Sequence, residues 1–361
     1  MTRRVVNHFC LLPRFVVIFH YLDSVAMSDL NLTIREIFKE KTVVIVGDLV
    51  ADQYLNGTIA RVSREAPVFI LRHDQTTTLP GAAANAAANV ASLGGRAVIV
   101  GVVGKDANGE ILTQKLKNAG VDTRFVIMDE SVSTTTKVRI LAGQKHAVRQ
   151  QVIRIDYENS AAFSANLRKR LIANLTAAAA EADALIISDY NYGVADETIF
   201  ETATKIAAGR KIPLTIDSRF RLSEFKNATS GTPNQDEVEQ LLGKGFLAAD
   251  CERLRAELGF EALLVTNGSK GMLVIERDKP PVRIDAVGSL EPVDVTGAGD
   301  TVIATYALSL ASDLSFEEAA RIANHAGGLV VMKKGTATVT APELIASITA
   351  DAHSTASKKA G

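Results

Sequence analysis

Cysteine is scarce in this chain. Only two cysteines, Cys10 and Cys251, occur among its 361 residues. Two thiols are too few for a disulfide framework or for a zinc site made of several thiolates. This scarcity is typical of a protein that works in a reducing cytoplasm, so we expect a cytoplasmic location. At this length, a hydrophobic content of 47% predicts a globular protein with a substantial core.

An excess of charge of either sign is also absent. The 40 lysines and arginines nearly balance the 41 aspartates and glutamates, so the formal net charge is -1. Such a chain offers no electrostatic footprint for nucleic acid or for an anionic membrane, although a local basic pocket is compatible with it. We expect small-molecule ligands, with no nucleic acid and no membrane among the partners.

The familiar nucleotide-binding signatures are missing as well. The sequence contains no G-x-x-x-x-G-K-S/T phosphate loop, no G-x-G-x-x-G after its first strand and no His-Arg-Asp catalytic loop. Its six histidines form no two-histidine metal motif. Any nucleotide site must therefore be of another kind.

The two ends of the chain lack the patterns of folded segments. The apolar run from Val5 to Leu22 is interrupted by polar residues and by Pro13, and no small-residue cleavage site follows it. Because Met27 opens a polar, helix-like segment, we expect residues 1–26 to be a disordered extension or an overlong start assignment. The small, polar tail 351–361 is also expected to be disordered.

What the chain does contain is a regular alternation of strand-like and helix-like segments. Short apolar runs such as Thr42–Val46, Ala184–Ser188 and Leu263–Thr266 alternate with helical patterns. This order predicts an α/β fold with a mainly parallel sheet and helices on both faces. Two β-rich segments, at about 53–75 and 125–156, interrupt it. We expect them to pair into a separate small sheet that forms a lid over the site.

The stretch Asp294-Val295-Thr296-Gly297-Ala298-Gly299-Asp300 leads directly into an apolar run. A Gly-rich turn at a helix start exposes unpaired backbone N–H groups to an anion. A carboxylate at that place would remove a proton from a hydroxyl that attacks phosphorus, which gives Asp300 the role of base. The alternative is an ordinary Gly-rich turn in which Asp300 is only a first-turn helix charge.

Two further clusters are candidates for ligand contacts. Asp48 and Asp52 follow the first strand, and ligands of open α/β sheets bind beyond the carboxyl ends of strands. The alternative is that they are solvated turn carboxylates. In the alanine-rich helix that begins at Gly81, Asn85 would face a ligand or cap a neighbouring turn. Tight packing is the commoner reason for such a helix.

Taken together, these motifs resemble those of the ribokinase-like (PfkB) family of sugar kinases. The similarity extends over about 41–346, and four motifs carry it: Gly104-Lys105-Asp106, Asn234-Gln235-Asp236-Glu237, Thr266-Asn267-Gly268-Ser269-Lys270-Gly271 and Asp294-Val295-Thr296-Gly297-Ala298-Gly299-Asp300. The resemblance implies a three-layer α/β/α fold with a small β-sheet lid. It also implies a kinase that uses ATP and Mg²⁺ to phosphorylate a small sugar.

The resemblance implies roles for individual positions. Asp300 would be the base, and the backbone N–H groups of Gly297, Ala298 and Gly299 would stabilise the transferring phosphoryl group. The positions expected to bind the sugar are Asp48, Asp52, Gly81, Asn85, Arg154 and Asp189. Those expected to bind the nucleotide are Asn234, Thr266, Gly268, Gly271 and Asn324. Glu237 would organise Mg²⁺ through water, and Asp294 matches a position linked in some relatives to a monovalent cation such as K⁺.

Within the family, the chain is most similar to the D-glycero-β-D-manno-heptose 7-phosphate kinases of ADP-heptose synthesis, a lipopolysaccharide precursor pathway. Four segments carry this similarity: Gly47–Tyr54, Arg61–Val68, Gln150–Asp156 and Ser188–Tyr190. Other sugars, sugar phosphates or nucleosides stay open as acceptors, and so does a non-catalytic sugar-binding regulator.

Some positions depart from this pattern. Ala82 stands where the family usually has a second glycine, Tyr192 where the heptose kinases have a lysine, and Ser218-Arg219 where they have Pro-Lys. The His-x-Gly-His motif of a nucleotidyltransferase is missing, so a separate protein would supply that step. The family also suggests a homodimer formed through the lid.

Overall fold

The computed structural model describes residues 30–144, 149–158, 162–289 and 291–360. The expected extension 1–26 lies outside the described residues. The strands, in chain order, are β1 (Thr42–Gly47), β2 (Leu49–Val62), β3 (Phe69–Ala82), β4 (Arg96–Gly104), β5 (Asp122–Asp129), β6 (Thr136–Gly143), β7 (Gln150–Tyr157), β8 (Ala184–Asp189), β9 (Leu214–Ser218), β10 (Ser230–Gly231), β11 (Ala262–Thr266), β12 (Met272–Glu276) and β13 (Val282–Ile284).

The α-helices between and after these strands are α1 (Ala83–Ser92), α2 (Ala107–Asn118), α3 (Ala165–Ala178), α4 (Glu197–Arg210), α5 (Gln235–Leu242), α6 (Ala248–Leu258), α7 (Ala298–Ala311), α8 (Phe316–Val330) and α9 (Ala341–Ala360). None of the helices in the described ranges is long and apolar enough to cross a lipid bilayer.

The main sheet has nine strands in the order β13-β12-β11-β10-β9-β8-β1-β4-β5. Neighbouring strands pair in parallel along the order β11-β10-β9-β8-β1-β4-β5. At the other edge, β12 pairs antiparallel with both β11 and β13. Successive side chains of a strand point to opposite faces. Val44 and Val46 accordingly pack into one core cluster, and Val43 and Ile45 into another on the other face. The predicted three-layer α/β/α fold is confirmed.

The lid is a separate four-stranded sheet in the order β3-β2-β6-β7. Its limits differ from the predicted ones. β2 and β3 extend past 53–75 because β2 follows β1 after one residue and β3 runs directly into α1. Residues 125–129, expected in the lid, belong to β5, which pairs in parallel with β4 in the main sheet. The lid is also mixed, not purely antiparallel, since β2 pairs in parallel with β6.

The carboxyl-terminal segment is another difference. The sequence predicts a disordered tail from residue 351, but α9 continues through Ala360. Alanine and lysine, which are strong helix formers, are frequent there and outweigh the small polar residues. The helix is also fixed at its start, where Glu343 accepts hydrogen bonds from the N–H and the hydroxyl of Thr340 at 2.8 Å each.

The backbone at Ala82, the position that departs from the family's glycine pair, is strained. Ala82 precedes α1 with φ 54° and ψ -132°, a conformation that side chains with a Cβ rarely adopt. Replacing Ala82 by glycine should relieve this strain and raise the free energy of unfolding by about 1 kcal/mol, after the extra flexibility of glycine in the unfolded chain is subtracted.

Urea unfolding of Ala82→Gly measures this effect. Ala91→Gly is the matched control, because Ala91 lies inside α1 with ordinary helical geometry. The free energy of unfolding of this control should fall by about 1 kcal/mol. An equal loss in both variants would show that Ala82 is not strained.

Candidate active site

Polar residues converge where the carboxyl ends of β1, β8 and β9 meet the start of α7. In parallel sheets, this edge is where ligands bind. The lid is attached at the same edge, since β2 starts one residue after β1 and β3 ends at α1. The fold therefore places the lid and the Gly-rich turn around one site.

Asp300 lies at the centre of this site, as the third residue of α7. It is 2% exposed, and each of its carboxylate oxygens accepts one hydrogen bond. Asn85 donates to Oδ2 and the hydroxyl of Tyr190 donates to Oδ1, both at 2.9 Å. Burial raises the pKa of Asp300 to about 7, and the two hydrogen bonds only partly oppose it. A carboxylate with that pKa is suited to act as a general base near neutral pH.

The turn before Asp300 brings backbone N–H groups next to the base. Gly297 has φ 79°, and a Cβ at this position would collide with the amide nitrogen of Asn85. A Cβ at Gly299 would meet nothing within 4 Å, so the turn is open on that side. The N–H of Ala298 donates to the carbonyl of Val295 at 3.2 Å. Among the described residues, the N–H groups of Gly297 and Gly299 have no acceptor, whereas that of Ala298 is already used.

Asp52 on β2 and Gly81 on β3 are diagonal neighbours in the lid, because the register pairs Asp52 with Leu79 and Gly81 with Val50. Asp52 is buried and forms an ion pair with Arg139 of β6. A Cβ at Gly81 would collide with the carboxylate of Asp52, so glycine is required there. Burial raises the pKa of Asp52, and Arg139 opposes that shift. Asp52 lies near enough to Asp300 to raise the pKa of the base, which places this lid ion pair beside the site.

Asp48, whose contact with the sugar stays a prediction, accepts hydrogen bonds from the loop that follows β8. Its buried carboxylate accepts hydrogen bonds from the backbone N–H groups of Tyr190 at 2.8 Å, Tyr192 at 3.0 Å and Val194 at 3.1 Å. Burial raises the pKa of Asp48 to about 6 despite these three donors. Asp48 thus holds the loop that follows β8 in place.

Asp189 is likewise used by the protein itself. Its carboxylate accepts hydrogen bonds from the hydroxyl of Ser218 at 2.7 Å and from the guanidinium of Arg221, with which it forms a partly buried ion pair. Arg221 also donates to the carbonyl of Ala195 at 2.8 Å. Asp189 therefore joins two loops, and its contact with the sugar stays a prediction.

Arg154 projects from the edge strand of the lid. Its guanidinium pairs with Asp156 at 2.8 and 2.9 Å, and the side chain is 46% exposed. In the strand register it lies opposite Arg139 of β6. Its charge reaches both Asp52 and Lys137. Arg154 is therefore near the site but is not buried in it.

The residues predicted for the nucleotide lie along the next part of the same edge. Asn234 caps α5 and forms a capping box with Glu237, in which each side chain accepts the other's backbone N–H at 3.0 and 2.8 Å. Thr266 ends β11, and Gly268 and Gly271 form the turn after it with φ values of 56° and 83°. A Cβ at Gly271 would collide with the backbone of β13.

Asn324 on α8 is turned toward its own chain. It is 5% exposed, and its amide donates to the carbonyl of Asp285 at 2.8 Å. This bond fixes the loop between β13 and α7. Asn324 therefore supports a neighbouring loop, and its contact with the nucleotide stays a prediction.

Asp294 connects two loops beside the lid. Its carboxylate accepts the backbone N–H groups of Thr296 at 3.0 Å and Gly335 at 2.9 Å, and these bonds help to lower its pKa. The hydroxyl of Tyr54 lies close to Gly335 and the backbone of Thr336. The buried hydroxyl of Thr336 has no hydrogen-bond partner in the part of the chain that the structure describes. A carboxylate with hydroxyl oxygen atoms nearby is a donor set that suits a cation.

Residues that sequence reasoning did not include complete the site. Lys137 on β6 is buried, with its ammonium 5.6 Å from the ring centre of Tyr190 and 5.5 Å from that of Tyr192. Burial lowers its pKa, and within the described residues no carboxylate forms an ion pair with it. The sequence pattern that could have identified Lys137 is its two-residue spacing from Arg139, which puts both side chains on one face of a predicted lid strand.

Asp217, next to the end of β9, is a second residue that sequence reasoning did not include. In the described residues it accepts no hydrogen bond, and burial together with the charges of Glu237 and Asp300 raises its pKa well above the usual range. Arg219 follows two residues later and is exposed, and its charge reaches Asp217, Glu237 and Lys137. The sequence signal was another acidic residue at a strand end.

Comparison with known proteins supports a kinase site. The chain matches the family described as pfkB family carbohydrate kinase over residues 40–344. It is 38% identical over 342 residues to the Bifunctional protein HldE of Koribacter versatilis, a match that covers 93% of this chain and 69% of that protein. With HldE of Shewanella loihica the identity is 39% over 315 residues, covering 86% and 64%. The chain thus spans about two thirds of the length of these relatives.

Solved structures share the fold at lower identity. Arabidopsis thaliana ribokinase complexed with ribose and ATP aligns with a TM-score of 0.63 and 22% identity, covering 86% of this chain and 97% of that one. Phosphofructokinase-2 from Escherichia coli in complex with potassium aligns with a TM-score of 0.70 and 19% identity, covering 86% and 98%. The chain belongs to the pfkB family of carbohydrate kinases, and it is an ATP-dependent carbohydrate kinase.

Proposed function

We propose that this kinase transfers the γ-phosphoryl group of ATP to a sugar phosphate, D-glycero-β-D-manno-heptose 7-phosphate, and produces the 1,7-bisphosphate. The observation that supports a phosphorylated acceptor is Lys137, a buried ammonium that no carboxylate pairs with among the described residues. The identity of 38 to 39% with proteins named HldE supports the choice of a heptose.

The energetic argument starts from the cost of burying Lys137. An unpaired ammonium taken out of water costs several kcal/mol unless an anion compensates for it. Lys137 faces the base closely enough for its charge to lower the pKa of Asp300, so the compensating anion would belong to the acceptor. A neutral sugar would not compensate for the free energy of burying the ammonium, whereas a phosphate distant from the reacting hydroxyl would offset it.

The same residue accounts for the departure at Tyr192. Heptose kinases are expected to have a lysine there, and this chain has a tyrosine whose ring lies 5.5 Å from the Lys137 ammonium. The lid strand β6 thus brings a cation to the place where the loop after β8 lacks one. Arg219 adds a second positive charge on the same side.

The chain's own groups can carry out the proton transfer. Asp300 accepts the proton of the attacking hydroxyl, while Asn85 and Tyr190 hold its carboxylate. The N–H groups of Gly297 and Gly299 at the start of α7 stabilise negative charge on the phosphoryl group. Because the surrounding site is buried, these interactions act with little competition from water.

Asp217 and Glu237 fit a hydrated Mg²⁺. Mg²⁺ usually binds through one or two carboxylates together with substrate phosphates and water. Asp217 accepts no hydrogen bond from the described residues, and the pKa values of both carboxyls are raised by burial, a cost that a cation would offset. When bound, Mg²⁺ neutralises charge on the ATP phosphates.

Other features support finer proposals about ions and partners. Asp294, with the Tyr54 hydroxyl and the Thr336 hydroxyl that has no partner among the described residues nearby, fits a monovalent cation such as K⁺. The lid edge exposes Val152 by 54% and Ile153 by 53%, which supports a homodimer formed through the lid.

Since ATP is the donor, we place the reaction in the cytoplasm.

An acceptor panel tests the proposed substrate. ADP release with Mg²⁺ and ATP is measured for heptose 7-phosphate, unphosphorylated heptose, fructose 6-phosphate, fructose 1-phosphate, ribose and adenosine. We expect the highest kcat/KM for heptose 7-phosphate. A higher value for ribose or adenosine would overturn the sugar-phosphate assignment, and a higher value for a fructose phosphate would overturn the heptose assignment alone.

Removal of the Lys137 charge should act only on phosphorylated acceptors. Lys137→Met should lower kcat/KM for heptose 7-phosphate by about 10- to 100-fold, as expected for one charge-assisted contact with phosphate. Unphosphorylated heptose should be affected much less. Lys105→Met is the control, because Lys105 forms an exposed ion pair with Glu130 away from the base. An equal loss with both acceptors would contradict phosphate recognition by Lys137.

A further inference from the structure

Tyr190 is held at three points in the site. Its backbone N–H donates to Asp48 at 2.8 Å, and its hydroxyl donates to Oδ1 of Asp300 at 2.9 Å. The face of its ring is 5.6 Å from the ammonium of Lys137. One side chain therefore contacts both the predicted base and the cation that we assign to the acceptor's phosphate.

The carboxylate of Asp300 is fixed by two donors from opposite parts of the fold. Asn85 on α1 donates to Oδ2, and Tyr190 after β8 donates to Oδ1. With one donor on each oxygen, the plane of the carboxylate is set, and the remaining lone pairs are left for the proton of the acceptor. Hydrogen bonds to an ionised carboxylate are also about twice as strong as those between neutral groups.

We propose that Tyr190 is a positioning residue that orients the Asp300 carboxylate for proton abstraction and keeps the Lys137 ammonium next to the base. The inference builds on the proposed function, since it takes Asp300 as the base of the kinase. It adds a residue to which neither the sequence motifs nor the family match gives a role.

Tyr192 provides a matched comparison within the same loop. Its ring is as close to Lys137, at 5.5 Å, but its hydroxyl donates to Glu158 at 2.9 Å and not to Asp300. Removing the hydroxyl from Tyr192 changes the same kind of group at the same distance from the cation. The two tyrosines therefore differ in one relevant contact, the hydrogen bond to the base.

Other charged groups around Asp300 stay in place when the tyrosine hydroxyl is removed. The lid contributes Asp52 and Lys137. Near Tyr190, β9 contributes Asp217 and the segment after β9 contributes Arg219. Since the ring itself is retained in Tyr190→Phe, the cation above it keeps its support. A change in the variant then reports the missing hydroxyl.

The first experiment is the pH dependence of kcat/KM for the wild type, Tyr190→Phe and Tyr192→Phe, with the best acceptor of the wild type. Loss of a donor disfavours the ionised carboxylate, so the acid limb of Tyr190→Phe should move to higher pH by about one unit. Its kcat on the alkaline plateau should fall about tenfold because the carboxylate is less well oriented. Tyr192→Phe should retain the wild-type acid limb.

A second measurement does not depend on turnover. Wild-type protein and Tyr190→Phe are labelled with [4-¹³C]aspartate, and the Asp300 signal is identified as the difference from the corresponding Asp300→Asn protein. Its titration should move to higher pH in Tyr190→Phe by the same amount as the acid limb. An unchanged titration together with an unchanged plateau kcat would overturn the proposal, and so would an equal shift in Tyr192→Phe. Failure to phosphorylate heptose 7-phosphate would reject the substrate assignment only, because the titration still tests Tyr190.

Discussion

Asp300→Asn is expected to lower the rate of single-turnover phosphoryl transfer by about 10²- to 10⁴-fold, the usual contribution of a general base. Asparagine retains the shape of the side chain and can still contact Asn85 and Tyr190, so ATP should bind as in the wild type. Rapid-quench measurements with saturating ATP and acceptor separate the chemical step from binding. A loss of less than tenfold would show that another group accepts the proton.

The same substitution should make the folded protein more stable at alkaline pH. Burial raises the pKa of Asp300 from 3.8 to about 7. The folded state therefore binds this proton more tightly than the unfolded state, and the wild type loses stability as pH rises between these two values. Asp300→Asn lacks this ionisation, and above pH 7 it should gain on the order of 2–4 kcal/mol relative to the wild type.

Urea unfolding at pH 4 and at pH 8 tests this sign. The free energy of unfolding should be higher for the variant than for the wild type at pH 8. This difference should shrink toward pH 4, where the wild-type carboxyl is protonated. A variant that is less stable than the wild type at both values would contradict the burial argument. Lower activity with higher stability is typical of a residue kept for chemistry and not for folding.

Asp189→Ala is expected to have the largest effect on stability, a loss of about 3–5 kcal/mol, because it leaves the Arg221 guanidinium without its buried partner. The Asp189 side chain is 0% exposed and that of Arg221 is 23% exposed. Ser218 also loses its acceptor. If the carboxylate holds two loops together and does not contact the acceptor, the KM for the acceptor should change little in protein that stays folded.

A surface ion pair provides the control for Asp189→Ala. Glu201→Ala removes a partner of Lys205 on α4, where the two side chains are 56% and 77% exposed. Such pairs contribute about 0.3–0.5 kcal/mol. Urea unfolding of both variants at one pH compares the two losses. Similar values for Asp189→Ala and Glu201→Ala would show that the buried pair has no special role.

Much of the main sheet could be predicted from local patterns. The runs that became β1 and β8 are rich in β-branched and aliphatic residues and are followed by helical segments, so periodicity alone identified them. The limits of the lid were harder to place, because β5 is as strand-like as β6. Whether a strand joins the main sheet or the lid depends on partners that are distant in sequence.

The candidate site was predictable where its chemistry is local. Asp300 and the turn before it are adjacent in the chain, and Asn85 lies in a recognisable helix. Asp48 was assigned to the sugar because acids at strand ends usually face ligands, and Asp189 because the resemblance to sugar kinases implied it. Their actual partners are loop amides and Arg221, which become neighbours only after folding. Lys137 was missed for the same reason, since its place beside the base depends on how the lid is attached.

The most direct test of the account is the identity of the product. Wild-type protein is incubated with Mg²⁺, ATP and heptose 7-phosphate, and ³¹P NMR follows the phosphate groups while ADP is quantified. The account predicts one new sugar phosphate signal per ADP, coupled to the anomeric proton, with the 7-phosphate signal retained. Inorganic phosphate in place of a second sugar phosphate, or no reaction with this acceptor while another is phosphorylated, would contradict it.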